Sequence, residues 1–380
     1  MDANSCVITD FHKLRPPFES AHDTTLDWLI HAHTKAESVK QGKDDHKFQK
    51  QMEALVDHVG CKSTEIRQRG HVIPDFLHHN WNEMVIYRLD DFPTGVGLQK
   101  RQEVHSEIVG KIFEKYYPDS HNCPSNILHV SCTGYVSPSP AQRIASIRNW
   151  LGSTTITHAY HMGCYASIPA LRIGSGFVQL DGKRTDVVHT ELCSLHINPL
   201  LHEPDQLVAQ SLFADGFMKY SLNPEDSAAE GLKIISIAEE IIPNSLGAMA
   251  WSMTDWGFQF ILAKEIPMLI SQHIKPFVEK LCKQANIPID EILEHALFAI
   301  HPGGPKIVEQ AQKILQISDA QVKASKTILQ KYGNMSSATL PHIWEAIYKD
   351  PTVPNKTKIV SLAFGPGLTI AGALLEKLGC

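Results

Sequence analysis

Four short apolar runs in this chain each stop at a turn of small residues, and that rhythm limits the possible folds. Residues 125–134 read as a buried strand running into Gly134, and residues 154–162 as a strand rising into Gly163-Cys164. Leu297–Ile300 delivers His301 to a Gly/Pro turn. Residues 359–364 end in Gly365-Pro366-Gly367, with a terminal helix expected beyond Thr369. Helical spacing marks residues 20–60, which are polar and charged, and residues 144–151 and 166–177. It also marks 264–282, where Pro267 and Pro276 are expected to interrupt the helix. Residues 185–195 and 231–242 look like further strands or strand–helix joins. Apolar strands of this kind need cover on both faces, and alternating helices supply it. The expectation is an α/β layered fold. No internal repeat stands out; Phe213-Ala214-Asp215-Gly216 and Phe364-Gly365-Pro366-Gly367 are only a faint echo of each other.

With 380 residues, 43% hydrophobic and 20% charged, the chain can bury a large core and has no long disordered block. The formal net charge of −6 argues against general nucleic-acid affinity, which needs an excess of Lys and Arg. Any anionic substrate must then meet a local basic patch, for which Lys62, Arg67 and Arg69 are the candidates. Lys43-Asp44-Asp45-His46-Lys47 reads as a solvated face, and the 21 histidines as surface or satisfied core residues. The 8 cysteines form no C-x-x-C pair and no zinc spacing with His, so no structural metal is expected. Residues 1–6 carry no basic stretch followed by an apolar run, so no secretory signal is expected. No apolar stretch of about 18 residues exists, which excludes an ordinary membrane span. The cysteines are expected to be reduced thiols in a cytoplasmic protein.

Three stretches carry the chemistry: Gly163-Cys164-Tyr165-Ala166, His301-Pro302-Gly303-Gly304-Pro305 and Tyr332-Gly333-Asn334-Met335-Ser336-Ser337-Ala338. They offer a polarisable nucleophile, an imidazole fixed in a tight turn, and an amide donor that cannot titrate. Such a set can take up an acyl group and stabilise the oxyanion or enolate that follows. Strand, Cys, then helix places the thiol where exposed N–H groups and the helix dipole favour thiolate. Each residue alone has a plainer reading: Cys164 as a small core residue, His301 as the end of a strand, and Gly-Asn as a common turn pair.

In this order and with these neighbours, the three stretches resemble the Cys-His-Asn triad of the type III polyketide synthases. These are the chalcone-synthase-like branch of the thiolase superfamily, and the resemblance runs from about Ser63 to Gly379. It implies a thiolase fold, a duplicated five-layer αβαβα sandwich, with residues 1–225 carrying the nucleophile and 226–380 the His and Asn. It implies that Cys164, paired with His301, accepts an acyl group from a coenzyme A thioester. His301 and Asn334 then hold malonyl-coenzyme A while carbon dioxide leaves, and the enolate attacks the acyl-Cys164 thioester. The product is cyclised to a pyrone or resorcinol-type ring. The resemblance implies a homodimer using acyl-CoA and malonyl-CoA as substrates and no other cofactor. The rival readings are a single-condensation ketoacyl synthase-like acyltransferase, a Cys-His hydrolase, and an inactive homologue that acts as a binding partner.

The same resemblance casts Phe213 and Phe260 as gatekeepers between a coenzyme A tunnel and a cavity. It gives Thr133 and Gly303 substrate contacts, makes Gly365-Pro366-Gly367 the cavity scaffold, and places Lys62, Arg67 and Arg69 at the tunnel mouth. This chain also departs from the family. Ser167-Ile168-Pro169 replaces small residues after the nucleophile, and a Pro there threatens the helix start. His196 and Trp251 stand where chalcone synthase has Thr and Gly lining its elongation cavity. Pro138 falls where plant enzymes place a Met that crosses the dimer interface.

Overall fold

The computed structural model describes residues 6–43, 46–119, 122–150 and 152–379. Residues 1–5, Asp44, Asp45, Leu151 and Cys380, each part of an expectation above, lie outside them.

The first part of the chain runs β1 (Cys6–Leu14), β2 (Phe18–Ala21), α1 (His22–Gln41), α2 (His46–Val59), β3 (Gln68–His71), α3 (Leu98–Tyr116) and β4 (Asn126–Ser131). It continues through α4 (Pro140–Ile147), β5 (Thr155–Tyr160), α5 (Ser167–Asp181), β6 (Thr185–Glu191), α6 (Pro204–Leu212) and β7 (Gly216–Pro224). The second part runs β8 (Gly231–Ile241), β9 (Met249–Met253), β10 (Phe258–Leu262), α7 (Ile266–Ala285), α8 (Ile289–His295) and β11 (Leu297–Ile300). It ends with α9 (Pro305–Leu315), α10 (Asp319–Tyr332), α11 (Thr339–Tyr348), β12 (Lys358–Gly365) and β13 (Thr369–Leu378).

The main sheet has the order β11-β12-β13-β8-β1-β7-β6-β4-β5. Read outward from its middle, the order repeats. In one half β1 pairs antiparallel with β7, β7 antiparallel with β6, and β6 parallel with β4. In the other β8 pairs antiparallel with β13, β13 antiparallel with β12, and β12 parallel with β11. The duplication that the residues do not display is therefore written in the strand order. The two tetrapeptides that echo each other lead into β7 and β13, which hold the same place in this order. Within the sheet the halves join at Val7↔Lys233 and Ile8↔Leu232, between β1 and β8.

Burial gives the layers. Along β13, Ile370 and Leu374 face a core built with α7, α9 and α10, while Ala371, Ala373 and Leu375 face a second core that contains α5 and α11. Along β4, Leu128 and Val130 face that same central core, and Ile127 faces a third, with α1, α3 and α4. A period of two that is apolar on both faces means a sheet sandwiched on both sides. The order is helices, sheet, the α5/α11 pair, sheet, helices: the five-layer αβαβα sandwich of the thiolase fold.

Four local expectations change. The helix expected over 144–151 starts earlier, at Pro140, because Ser139 and Gln142 form a capping box there. Pro267 lies in the first turn of α7, and Pro276 sits inside that helix without ending it. Pro169 falls in the first turn of α5, where its missing N–H takes nothing from the helix. The terminal helix is instead strand β13, because its place between β12 and β8 outweighs the helix propensity of its Ala, Leu, Glu and Lys residues.

Trp344 on α11 ties the halves together. It is fully buried, its indole N–H donates to Ser361 Oγ on β12 at 2.8 Å, and its ring meets Tyr220 of β7 edge-on at 5.9 Å. Trp344→Ala should lower stability by about 3–5 kcal/mol. A chemical-denaturation midpoint within error of wild type would refute that bridging role.

Candidate active site

The repeated topology explains where the reactive groups gather. Cys164 and Asn334 each lie a few residues before the middle-layer helices α5 and α11, and Thr133 and His301 each follow the equivalent strands β4 and β11. Gly163 adopts φ +84°, and a Cβ there would come within 2.4 Å of Pro366 Cδ. A Cβ on Gly365 would likewise strike Tyr165. The Gly365-Pro366-Gly367 loop thus presses directly on the cysteine turn, which fits a scaffolding role.

Contacts run from Cys164 to the turn of His301. The Cys164 thiol donates to Ser336 Oγ at 3.8 Å, and the Ser336 N–H donates to Asn334 Oδ1 at 2.9 Å. Asn334 Nδ2 donates to Gly303 O at 3.4 Å, while the His301 N–H is anchored on Leu362 O at 2.8 Å. Asn334 is also fixed from behind: its N–H donates to Leu212 O and its carbonyl accepts from Ala214 N–H, on either side of Phe213. His301 is 1% exposed, yet neither of its ring nitrogens has a hydrogen-bond partner. The imidazole is therefore held inside the protein with both nitrogens unpaired.

Burial pushes the Cys164 thiol up from its ordinary value, and the charge of Glu191 adds to this. Hydrogen bonds from Ser336 and Asn334 and a backbone N–H oppose the rise. Burial pushes His301 down, to about 3, so its ring is neutral at pH 7. The pairing with His301 expected to lower the Cys164 pKa is not made in this structure. Ser336 takes that place.

Sequence reasoning missed Glu191, which ends a strand that carries Val187 and Val188 beside Asp186 and His189. Glu191 is fully buried at the end of β6 and accepts from Cys132 N–H at 3.0 Å, Thr133 Oγ1 at 3.3 Å and the Ser337 hydroxyl. Burial raises its pKa to about 7. Thr133 Oγ1 accepts from Leu192 N–H at 2.9 Å, so Thr133 belongs to this network.

The chamber around Cys164 is lined by Thr133, Phe213, Trp251 and Phe260, together with Cys132 and Cys193. Phe213 and Phe260 meet edge to face at 5.3 Å, and Trp251 lies 5.9 Å from Phe260. Trp251 also donates its indole N–H to Cys132 O at 2.6 Å. These three aromatics and Cys193 line a second cleft as well, together with His196. His196 stacks on Phe258 at 4.5 Å, donates from Nε2 to Thr133 O at 2.8 Å, and accepts from Phe258 N–H at 3.1 Å. Both nitrogens serve the backbone, so His196 braces the cavity as a neutral ring.

The basic cluster does not stay together. Lys62 is exposed and paired with Asp57 at 2.7 Å, and Arg67 is exposed. Arg69 is 1% exposed, so it does not stand at a tunnel mouth: strand β3 turns it inward, onto Gln210 O and Phe213 O. The cysteines of the described residues are free, and Cys123 alone among them is exposed. Among the described residues, Asp27, His31 and His79 bring three potential ligand atoms within 4.8 Å of one another on the surface, remote from this chemistry. No helix of the described residues is long and apolar enough to cross a membrane.

Residues 233–379 match the C-terminal domain of the chalcone and stilbene synthases. A Dictyostelium discoideum protein described as probable polyketide synthase 1 is 30% identical over 259 residues, which is 67% of this chain and 8% of that protein. The C-terminal part of this chain belongs to the chalcone and stilbene synthase family. Solved structures with the same fold include PKS-I of the brown alga Ectocarpus siliculosus, with TM-score 0.83 and 19% identity, covering 98% of each chain. The C-terminal type III domain of Dictyostelium Steely1 gives 0.81 and 22%, covering 99% of this chain and 100% of that one. The 1,3,6,8-tetrahydroxynaphthalene synthase of Streptomyces coelicolor A3(2) gives 0.79 and 20%, over 98% and 100%.

Glu191 lets the electrostatics be tested. A negative charge beside a thiol disfavours the thiolate, so Glu191→Gln should speed alkylation of Cys164 between about pH 7 and 9. Peptide mass spectrometry of iodoacetamide adducts reads the rate, and an unchanged or slower Cys164 refutes the coupling. The stability sign follows from the raised pKa. Protonated Glu191 favours the fold below its unfolded pKa of about 4.3, and that contribution is lost as pH rises through about 7.

Proposed function

We propose that this chain is an acyltransferase that condenses an acyl-CoA starter with malonyl-CoA, by decarboxylative Claisen chemistry through an acyl-Cys164 intermediate. The observation that carries the reading is the contact path Cys164–Ser336–Asn334–Gly303, ending on a turn whose buried imidazole has both nitrogens unpaired. The Cys164 thiol gives its proton to His301 and attacks the thioester carbonyl; coenzyme A leaves as its thiol, taking that proton. Malonyl-CoA then loses carbon dioxide, and the enolate oxygen is held by N–H donors from His301 and Asn334. The enolate carbon attacks the acyl group, and the Cys164 thiolate departs. Exposed Lys62 and Arg67 meet the coenzyme A phosphates, and no other cofactor takes part. The product cyclises to a pyrone or resorcinol-type ring, and the protein works as a cytoplasmic homodimer.

Labelled malonyl-CoA tests the chemistry. Asn334→Ala should cut carbon dioxide release roughly a hundredfold or more, since one donor to the developing charge is lost. Cys164→Ala should abolish product while the folded protein still binds malonyl-CoA. Thioester loss without carbon dioxide release would instead indicate hydrolysis.

Trp251 sets the reach of the elongation cavity. It lines both the Cys164 chamber and the adjoining cleft, and it is only half-buried. Trp251→Gly should admit longer starters or further extension and shift the product profile by mass. A destabilised protein with an unchanged product set would show that Trp251 only packs.

A further inference from the structure

Arg69 is a cation buried without an anion. It is 1% exposed, and among the described residues it makes no ion pair within 4 Å. Its Nη1 is pinned by two carbonyls, Gln210 O at 2.6 Å and Phe213 O at 3.1 Å. Its Nε and Nη2 have no partner at all. Those two nitrogens form one edge of the guanidinium, the fork whose parallel N–H bonds match the two oxygens of a carboxylate.

Arg69 lines the cleft that adjoins the Cys164 chamber, and the two share Cys193, Phe213, Trp251 and Phe260. No carboxylate is among the residues that line this cleft. Asp215 attracts Arg69 at longer range, but its oxygens are taken by Val72 N–H and by the N–H and hydroxyl of Ser194. Asn198, Gln206 and Gln210 add polar side chains to a lining that is otherwise largely aromatic. Leaving buried N–H donors of a cation unmatched is costly, and a negatively charged ligand recovers that cost. Arg69 lies inside with the lining of this cleft, apart from exposed Lys62 and Arg67, so the coenzyme A phosphates are not that ligand.

We infer that Arg69 is a specificity-determining residue that anchors the terminal carboxylate of the acyl group carried on Cys164. The preferred starters are therefore half-thioesters of dicarboxylic acids. This rests on the acyl-Cys164 reading above. An acyl chain on Cys164 passes the Phe213–Phe260–Trp251 aromatics and places its far end at the free edge of Arg69.

The test compares glutaryl-CoA with pentanoyl-CoA as starters, with malonyl-CoA as extender, and adds succinyl- and adipyl-CoA to vary the reach. At least one carboxylated starter should exceed pentanoyl-CoA in kcat/KM by tenfold or more. Arg69→Gln should lose most of that ratio, through KM, and Arg69→Lys, which keeps the charge but not the fork, should retain part of it. A wild-type ratio at or below one for every chain length overturns the proposal. So does an Arg69→Gln protein that slows both starters alike. Calorimetric titration of Cys164→Ala with glutaryl-CoA and pentanoyl-CoA gives the same comparison without turnover. If no starter yields carbon dioxide or product, the condensing reading fails, while this binding comparison still decides Arg69. Should Arg69→Gln not fold, the wild-type ratio and Arg69→Lys decide it.

Discussion

Two helices whose first turns are fully buried, α5 and α11, govern the position of everything chemical in this chain. They pack between both halves of the sheet, with apolar side chains facing each. A helix in that setting cannot satisfy its first N–H groups with water, so the loops that feed it must be rigid and locally bonded. Cys164 and Asn334 lie in those two loops. The duplicated strand order brings the equivalent helices together, and with them the thiol and the amide.

The dryness this produces sets the electrostatics. Desolvation raises the Cys164 thiol and lowers His301, so the resting pair is neutral. An ion pair between them would have to form inside a low dielectric, which opposes it until a substrate carbonyl is present to receive the charge. Glu191 works against the thiolate and is itself held up near neutrality by the same burial. A buried acid tied to Thr133, Cys132 and Ser337 fixes the turns on both sides of Cys164 while carrying only part of a charge at pH 7.

Much of this could be read from the residues. The strands ending at Ser131 and Ile300 follow from apolar runs stopped by turns, because buried strands leave that simple trace. The three motifs pointed to residues that contacts link, from the Cys164 thiol through Ser336 to Asn334 and the His301 turn. Strand β13 was illegible, since its neighbours β12 and β8, and not its own composition, decide its conformation. The duplication was also invisible, because pairing order can repeat without any residue repeating. Arg69 was misplaced by sequence proximity: Lys62 and Arg67 face solvent, but β3 pairs with β2, and that strand geometry carries its third cation into the interior.

Cavity shape and catalytic geometry are not independent here. Cys132 stands between them, through three separate atoms. Its carbonyl accepts the Trp251 indole, its thiol accepts the Gly163 N–H at 3.0 Å, and its own N–H donates to Glu191. A change of wall at Trp251 therefore releases one tether on the residue that positions the nucleophile turn. The glycine at 163, held at positive φ and pressed by Pro366, has little freedom to absorb a shift of that turn. A bulky, hydrogen-bonded Trp is thus both a limit on chain length and a support for Cys164. The Arg69 end of the cleft is tied in as well, because its Nη1 holds Phe213 O between the Leu212 and Ala214 groups that fix Asn334.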